Sequence, residues 1–257
     1  MLAIISPAKK LNFERDNSPE LSTQPEFLPE TKKLIARAKK LNAKDLQRLM
    51  KISDDLSALN RERFKAMKLP LTPDNAKQAA FAFNGDTYTG LQAPTMTAAD
   101  IDYAQDHLRI LSGLYGLVRP LDLIQPYRLE MGTRLDTERG DNLYQFWGDR
   151  LSRKLDAELN AHGSPVLINL ASSEYFKAVD RKSLKATVIT PIFKEIRGNT
   201  AKVIGFTAKR ARGMMARFMI ENRIDRPDGL KEFGQAGYLF QPTLSDAHNY
   251  IFTRAAT

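Results

Sequence analysis

The stretch MLAIIS (residues 1–6) is a short apolar run that ends at Pro7 and predicts a buried strand. Further strand-like runs, rich in β-branched or aromatic residues and bounded by turn residues, are PVLINL (165–170), ATVITPIF (186–193), AKVIGF (201–206), GYLF (237–240) and NYIFT (249–253). Because these runs do not alternate steadily with helices, we expect an α+β fold, with a mixed sheet and surrounding helices rather than a standard superfold. No repeat or linker is visible, so we expect one domain over residues 1–257.

Helical spacing of apolar residues predicts several helices. From Thr31 onward, apolar residues recur at this spacing among lysines and arginines. Pro73 fits the first turn of another helix, which Thr72 would cap, and the NGDTYTGL that follows it (84–91) is typical of a turn. One predicted helix begins at residue 31. The others span residues 73–83, 98–112 and 207–224. A polar loop is expected from Asn12 to Pro29.

The segment LMKISDDLSALNRERFKAMK (49–68) indicates a helix that ends near Lys51 and a second helix that begins at once. Ser53 is a good N-cap for the second helix, because its hydroxyl can accept a hydrogen bond from an otherwise unpaired backbone N–H. Asp54 and Asp55 suit the positive end of that helix dipole. Two helices joined by about three residues form a hairpin. The basic residues on both sides raise the question of whether this hairpin binds an anion.

The composition excludes several classes of protein. The 257 residues include no cysteine, so the chain has no disulfide, no thiolate metal site and no thiol-based peroxide chemistry. No apolar run approaches the roughly 20 residues that a transmembrane helix needs, and the first residues do not have the pattern of a signal peptide. We therefore expect a cytoplasmic protein that binds no membrane.

The formal net charge of +9 is concentrated in two segments. Residues 31–68 hold 12 Lys/Arg and 4 Asp/Glu, and residues 194–231 hold 10 Lys/Arg and 4 Asp/Glu. The rest of the chain is mildly acidic. Two basic segments in such a chain indicate a polyanion-binding surface, although charged helix faces are more often only solvated.

Two stretches combine arginine with features of a binding site. In TAKRARGMMARFMIENRI (207–224), alanine and methionine form an apolar arc and arginines surround it. This is typical of an amphipathic surface helix and also of a phosphate-binding face. In LRILSGLYGLVRPLDLIQPYRLEMG (108–132), glycine and proline are mixed with arginine and tyrosine. That mixture favours either an anion-binding loop or a buried structural corner.

Metal and nucleophile sites have less support. The chain has three histidines, His107, His162 and His248. They lack the spacing that places two ligands on one helix face, so we expect no metal ion and no other cofactor. After the strand VLINL, Ser172, Ser173 and Glu174 lie at a strand-to-helix junction. They form either a small-anion or catalytic pocket or only a helix cap.

Several long blocks carry a family resemblance: ISPAK (5–9), FNGDTYTGL (83–91), LRILSGLYGLVRPLDLIQPYRLEMG (108–132), LYQFWG (143–148), INLASSEYFK (168–177) and AKRARGMMARFMIENRI (208–224). Together they resemble the YaaA family of bacterial peroxide-stress proteins. The resemblance implies a DNA-binding protein of unusual α/β architecture, with a positively charged cleft and a helix-hairpin-helix element. It also implies an association with lower free intracellular iron and with protection of DNA during peroxide stress.

A helix-hairpin-helix element brings backbone N–H groups of the hairpin to a phosphate, independently of base sequence. The positions of its pattern hold Leu46, Leu49, Ile52, Ser53 and Ser57. However, Ser53 stands where glycine is usual, and Asp54 and Asp55 would repel a phosphate. The turn from Gly113 to Gly116, which arginines flank, is therefore a second candidate for the same role.

Three functions compete at this point. The first is a non-enzymatic protein that binds the backbone of double-stranded or structured DNA with little sequence specificity. The second is an enzyme that acts on a nucleotide or phosphorylated small molecule in the same basic cleft, using Ser172, Ser173, Glu174 and Lys177 beside Arg128. A weaker third is a basic face that docks an acidic partner.

The oligomeric state stays open, with a monomer favoured. The residues predicted to contact DNA are Lys9, Lys10, Lys51, Ile52, Ser53, Arg109, Tyr115, Arg119, Arg128, Lys177, Lys209, Arg210, Arg212 and Arg217.

Overall fold

The computed structural model describes residues 1–14, 18–198 and 200–256. The strands are β1 (Leu2–Ile5), β2 (Lys77–Gln78), β3 (Leu108–Ser112), β4 (Gly116–Val118), β5 (Leu123–Ile124), β6 (Val166–Leu170), β7 (Thr187–Arg197), β8 (Thr200–Lys202), β9 (Leu239–Phe240) and β10 (Asn249–Ala255). The α-helices are α1 (Leu28–Lys39), α2 (Ala43–Met50), α3 (Asp54–Ala66), α4 (Ala79–Ala82), α5 (Asp86–Leu91), α6 (Ala98–His107), α7 (Leu143–Trp147), α8 (Arg150–Ala161), α9 (Ser173–Phe176) and α10 (Gly205–Glu221).

Eight strands form one mixed sheet in the order β4-β3-β1-β6-β7-β10-β9, and β8 pairs with β7 outside this path. The five strands β3, β1, β6, β7 and β10 are parallel neighbours. Strands β4, β8 and β9 pair antiparallel with their neighbours, and β2 and β5 form a small separate antiparallel sheet. This mixed sheet with helices around it confirms the predicted fold class.

Strand β1 lies inside the sheet, between β3 and β6. Its residue Ile4 is opposite Arg109 of β3 and Asn169 of β6. Helices α6 and α10 pack against the strand, and all of its residues are buried. A parallel strand under helices is apolar throughout rather than alternating. The run MLAIIS has this pattern, and its prediction as a buried strand is confirmed.

The predicted helix over 98–112 is wrong in its second part. Helix α6 ends at His107, and the next five residues, LRILS, form β3. These five residues are buried and pair with β1 and β4. Sheet pairing satisfies their backbone N–H and C=O groups in the interior, which is why the apolar run continues as a strand.

The predicted helix over 73–83 is also wrong. Residues 73–75 form a turn, β2 follows, and only Ala79–Ala82 are helical. The Thr72 backbone N–H donates to Asn75 Oδ1 (3.0 Å), which closes the turn. Pairing of β2 with β5 then requires an extended backbone where the sequence pattern is helical. Tertiary pairing here overrides local propensity.

Two shorter predictions fail at the start of helices. The segment NGDTYTGL, predicted as a turn, contains α5 from Asp86. The run AKVIGF, predicted as a strand, is extended only as far as Lys202, and α10 begins at Gly205. In both cases glycine directly precedes or starts the helix, so its usual meaning as a turn signal is misleading here.

The longer predicted helices are confirmed as α1 and α10. Because α1 begins at Leu28, the polar loop predicted from Asn12 to Pro29 is shorter than expected, and its residues 15–17 lie outside the described ranges. Within those ranges, no helix has both the length and the apolar character needed to cross a bilayer.

Helices α5 and α10 approach each other closely through glycine. A Cβ at Gly213 of α10 would overlap the Thr87 carbonyl oxygen, and a Cβ at Gly90 of α5 would overlap the Arg210 carbonyl oxygen. Backbone therefore packs on backbone at this crossing. In contrast, a Cβ at Gly205, also in α10, would meet no atom within 4 Å.

We expect Gly213→Ala to lower the free energy of unfolding by about 2–3 kcal/mol, because the added methyl group forces the two helices apart. Gly205→Ala is the matched control, and we expect it to raise that free energy by about 0.5 kcal/mol through the reduced entropy of the unfolded chain. Urea unfolding measures both. Equal effects of the two substitutions would contradict the close crossing of α5 and α10.

Candidate functional site

Residues 43–66 form a helical hairpin in which three residues join α2 to α3. Ser53 caps α3, because its Oγ accepts a hydrogen bond from the Leu56 backbone N–H (3.4 Å). The Gln47 side chain donates to Asp54 Oδ1, which engages this carboxylate within the hairpin. The hairpin and the Ser53 cap are therefore as predicted.

Lys51 ends α2 in the left-handed conformation, with φ 53° and ψ 52°. A residue with a Cβ pays roughly 1–2 kcal/mol in this region, which glycine avoids. The Lys51 side chain is exposed, whereas the next residue, Ile52, is buried and anchors the turn. Lysine in this conformation destabilises the turn relative to glycine. A function of its positive charge would explain why lysine occupies the position.

A groove of about 500 Å³ separates the hairpin from an extended segment of the chain. It is lined by Arg48, Leu49, Lys51, Gly132 and Arg134, and we call it the hairpin groove. Three of these five residues are cations and none is acidic. Both Arg48 and Lys51 are exposed; Arg48 also pairs with Asp45 outside the lining (3.5 Å), so the positive charge of the groove comes mainly from Lys51 and Arg134.

Arg134, like Arg48, lines the groove but is not among the residues predicted to contact DNA. It lies in MGTRLD (131–136), where Met131, Thr133 and Leu135 are buried and the residues between them are exposed. Alternation with a period of two indicates an extended segment with one solvated face. This pattern was available in the sequence as a signal that Arg134 faces solvent.

The segment that holds Arg134 is fixed to α1. Arg37 of α1 forms an ion pair with Asp136 (2.5 Å). A second cavity, of about 250 Å³, lies beside this contact and is lined by Lys33, Ala36, Arg37, Lys40, Thr137, Glu138, Arg139 and Phe146. Residues of the first basic segment (31–68) thus line both cavities, one beside Gly132 and Arg134 and the other beside residues 137–139. The second cavity also has an acidic residue, Glu138, in its lining.

The second predicted hairpin is buried and cannot present itself to DNA. Residues 113–115 and Gly116 form the turn between β3 and β4, and Tyr115 is 1% exposed. Arg109 is 5% exposed and forms an ion pair with Glu158 (2.8 Å). A Cβ at Gly113 would overlap backbone of a neighbouring segment, so glycine serves close packing here. Arg109 and Tyr115 are therefore structural residues.

Three other predicted DNA contacts lie elsewhere on the surface. Arg119 is half-buried and pairs with Asp122 (3.0 Å). Lys177 is exposed, and its ammonium group lies 4.9 Å from the centre of the Tyr144 ring. Lys10 is exposed next to the end of β1. None of the three lines the hairpin groove.

The arginines of α10 have different environments. Arg217 binds Glu221 (2.7 Å between Nε and Oε1) and donates to the Gln92 carbonyl oxygen (3.0 Å), so it joins α10 to the end of α5. Arg212 is half-buried, and desolvation lowers its pKa. Lys209 and Arg210 are exposed. No α10 residue lines the hairpin groove, so DNA that contacts both basic segments must extend beyond it.

The junction after β6 connects the sheet to the hairpin groove. The Ser172 backbone N–H donates to Ser6 Oγ (2.9 Å), beyond the end of β1. Ser173 is exposed at the start of α9. Glu174 Oε1 accepts a hydrogen bond from the backbone N–H of the groove residue Gly132 (3.0 Å). The predicted Ser172 to Glu174 pocket therefore adjoins the groove rather than forming part of its lining.

The histidines bind main-chain carbonyl groups. His107 Nδ1 lies 2.9 Å and His162 Nδ1 lies 3.4 Å from the Met1 carbonyl oxygen, and His248 Nδ1 lies 3.2 Å from that of Val188. Burial is the main cause that lowers the pKa of His107. Among the residues that the structure describes, no three His, Asp or Glu side chains are grouped so that they could hold a metal ion.

The chain folds as a mixed α/β protein whose hairpin groove lies beside the segments that follow the carboxyl ends of β1 and β6; no lining residue is acidic, and Glu174 is hydrogen-bonded to the lining residue Gly132. The family model described as peroxide stress protein YaaA matches residues 1–244 of this chain. The chain therefore belongs to the YaaA family of peroxide stress proteins, which confirms the resemblance in the sequence.

Relatives of full length carry the name UPF0246. The UPF0246 protein of Magnetococcus marinus is 56% identical over 256 residues, which cover 100% of both chains. That of Aromatoleum aromaticum is 52% identical over 260 residues, again 100% of both chains. That of Alteromonas mediterranea is 52% identical over 254 residues, which cover 99% of this chain and 98% of the relative.

We expect Lys51→Gly to raise the free energy of unfolding by about 1 kcal/mol, because glycine adopts the left-handed conformation without a Cβ penalty. Lys51→Ala removes the same charge but keeps the Cβ, so it should stay within about 0.5 kcal/mol of the wild type. Urea unfolding of the three proteins measures this. A glycine variant no more stable than the alanine variant would show that Lys51 is unstrained.

Proposed function

We propose that this protein binds the sugar-phosphate backbone of DNA at the hairpin groove and acts on DNA during peroxide stress. The observation that supports the proposal best is the groove lining, in which Arg48, Lys51 and Arg134 converge from two segments without an acidic residue. Cations grouped in this way neutralise adjacent phosphates and release counterions, which is the main source of sequence-independent affinity for DNA.

The groove residues suit phosphate oxygens, and guanine, which arginine and lysine also bind, is the one base that their side chains can read by hydrogen bonds. Arginine binds phosphate oxygens with a planar fork of N–H groups, and lysine binds them as a point charge. None of the lining residues is Asn, Gln, Asp or Glu, the side chains that read adenine or cytosine. We therefore expect affinity with little dependence on base sequence.

Side chains contribute more to this proposed contact than the hairpin backbone. The backbone N–H groups of Lys51 and Ile52 both donate to the Gln47 carbonyl oxygen, so they are already engaged. Asp54 and Asp55 add negative charge at the start of α3. The predicted contact between the backbone of Lys51 to Ser53 and a phosphate is therefore modified. We propose that the Lys51 ammonium group makes the phosphate contact instead.

The role in peroxide stress rests on the family. The chain has no cysteine and therefore no thiol that could reduce peroxide. Binding to the DNA backbone would place the protein on the DNA that peroxide damages. It requires no reaction of the protein with peroxide. This is consistent with a DNA-protecting function for a protein that belongs to a peroxide stress family.

We expect the logarithm of the DNA association constant to fall linearly and steeply with the logarithm of salt concentration, and to be similar for unrelated duplexes of equal length. Lys51→Gln and Arg134→Gln should each reduce the magnitude of this slope by about one unit, because each removes one phosphate contact. Fluorescence anisotropy at several salt concentrations measures the slopes.

The matched control is Arg226→Gln. Arg226 is exposed beside Asp225, and Asp225 interacts electrostatically with the amino group of Met1, at the opposite end of β1 from the groove. Loss of this charge should leave the slope unchanged. If the control reduces the slope as much as the groove variants, binding depends on net charge and the hairpin groove has no special role.

A further inference from the structure

A cluster of hydroxyl groups lies where β1 and β6 end. After β1, the chain first adds β3 to the sheet on one side of β1. It then adds β6, β7 and β10 on the other side of β1. The strand order therefore reverses between β1 and β6. In sheets of parallel strands, ligands bind at the carboxyl ends of the strands at such a reversal.

The hydroxyl groups at this place come from the end of β3 and from the segments beyond the strand ends. The Tyr88 hydroxyl donates to the Ser6 carbonyl oxygen (3.1 Å) after β1. The oxygens of Tyr127 and Ser112, at the end of β3, share a hydrogen bond of 2.6 Å. Burial is the main cause that raises the pKa of the Tyr88, Tyr127 and Tyr175 hydroxyls. They therefore stay neutral at physiological pH. The single proton of Tyr88 is engaged by the Ser6 carbonyl oxygen, so Tyr127 and Tyr175, which line the cavity described next, are the hydroxyl groups near a ligand there.

Two cations at the edge of this cluster share one carboxylate. Glu130 binds Lys9 (2.9 Å) and Arg128 (3.0 Å), and all three line a small cavity together with Tyr127 and Tyr175. Arg128 Nε is buried and has no hydrogen-bond partner among the described residues. Arg128 therefore has donor capacity that Glu130 does not use, because a guanidinium group carries five N–H donors.

A third cation lies near the same edge. Thr207, near the start of α10, hydrogen-bonds Glu195 near the carboxyl end of β7, so α10 begins at the carboxyl edge of the sheet. Arg212 is five residues further along the helix, about 7.5 Å along its axis. It forms no ion pair or hydrogen bond with any residue that the structure describes, so its positive charge is uncompensated.

We propose that the pocket between Lys9 and Arg128 binds a phosphoryl group and that Glu130 occupies its place in the free protein. The cavity as it stands measures about 10 Å³, room for about one water molecule, so the ligand enters only when the Glu130 carboxylate leaves the two cations. The phosphoryl group then accepts hydrogen bonds from Lys9, from Arg128 including Nε, and from a tyrosine hydroxyl. This site is separate from the hairpin groove and does not depend on DNA binding.

The ligand class follows from these donors. Two cations and neutral hydroxyls match a dianionic phosphoryl group, which offers three acceptor oxygens. A phosphate monoester such as a nucleoside monophosphate and inorganic phosphate share this group. AMP and inorganic phosphate are therefore the probes, and tighter binding of AMP identifies a monoester as the ligand, whereas equal binding identifies free phosphate.

The test is calorimetric titration of the full chain with both probes. Glu130→Gln removes the competing carboxylate charge, so we expect it to bind the better probe roughly 10- to 100-fold more tightly than the wild type does, the range that a charged hydrogen bond spans. Adding Lys9→Gln to Glu130→Gln should reverse most of the gain. Lys9 is 62% exposed, so this second change does not threaten the fold.

Two controls separate a built site from general charge effects. Asp225→Asn removes the carboxylate of an exposed pair with Arg226, and it should not raise affinity for either probe. Arg134→Gln, in the hairpin groove, should weaken DNA binding but leave probe binding to the Glu130→Gln variant unchanged. The proposal is overturned if Glu130→Gln shows no saturable binding at millimolar probe, or if Asp225→Asn gives an equal gain. Thermal melting of each variant confirms that it is folded.

Discussion

The pairing of β1 with β3 on one side and β6 on the other is the interaction on which the rest of this structure depends. The three strands come from distant parts of the sequence, and their backbone hydrogen bonds bring the ends of all three to one edge of the sheet. All β1 residues are buried, so a shifted register would misplace apolar side chains that the covering helices pack against. The register places Ser6, which follows β1, within hydrogen-bond distance of the Ser172 backbone N–H, which follows β6 (2.9 Å).

Two neighbouring surfaces near the carboxyl edge of the sheet have different electrostatics. In the hairpin groove the cations are exposed and no lining residue is acidic, which suits a long polyanion held by many weak contacts. Between β1 and β6 the cations are paired with Glu130 and lie over neutral hydroxyls, which suits a small anion held by directed hydrogen bonds. The hydrogen bond from Gly132 to Glu174 joins the two places, so one short segment of chain contributes to both.

The sequence predicts parts of this structure whose signals are local. The strand MLAIIS, helix α1, the α2–α3 hairpin with its Ser53 cap, and α10 follow from periodicity and capping residues. The sequence fails where long-range pairing decides, as in the apolar run LRILS, which becomes β3 because β1 is available as a partner. The glycine-rich composition of residues 108–132 also gives no indication of whether an arginine there is buried, whereas the alternation in MGTRLD (131–136) does indicate that Arg134 is exposed. Arg109 is interior and Arg134 is exposed, although only Arg109 stands in the Gly-rich stretch that drew attention to it.

The most direct test of the central claim, that DNA occupies the hairpin groove, uses the absence of cysteine from the chain. Leu49→Cys places the only thiol of the protein in the groove lining, and Asp225→Cys places it at the opposite edge of the sheet. The measurement is the rate of alkylation by a maleimide with and without saturating duplex DNA. We expect DNA to slow the reaction several-fold at position 49 and to leave it unchanged at position 225. Equal rates at position 49 with and without DNA, or protection at position 225 instead, would contradict the central claim.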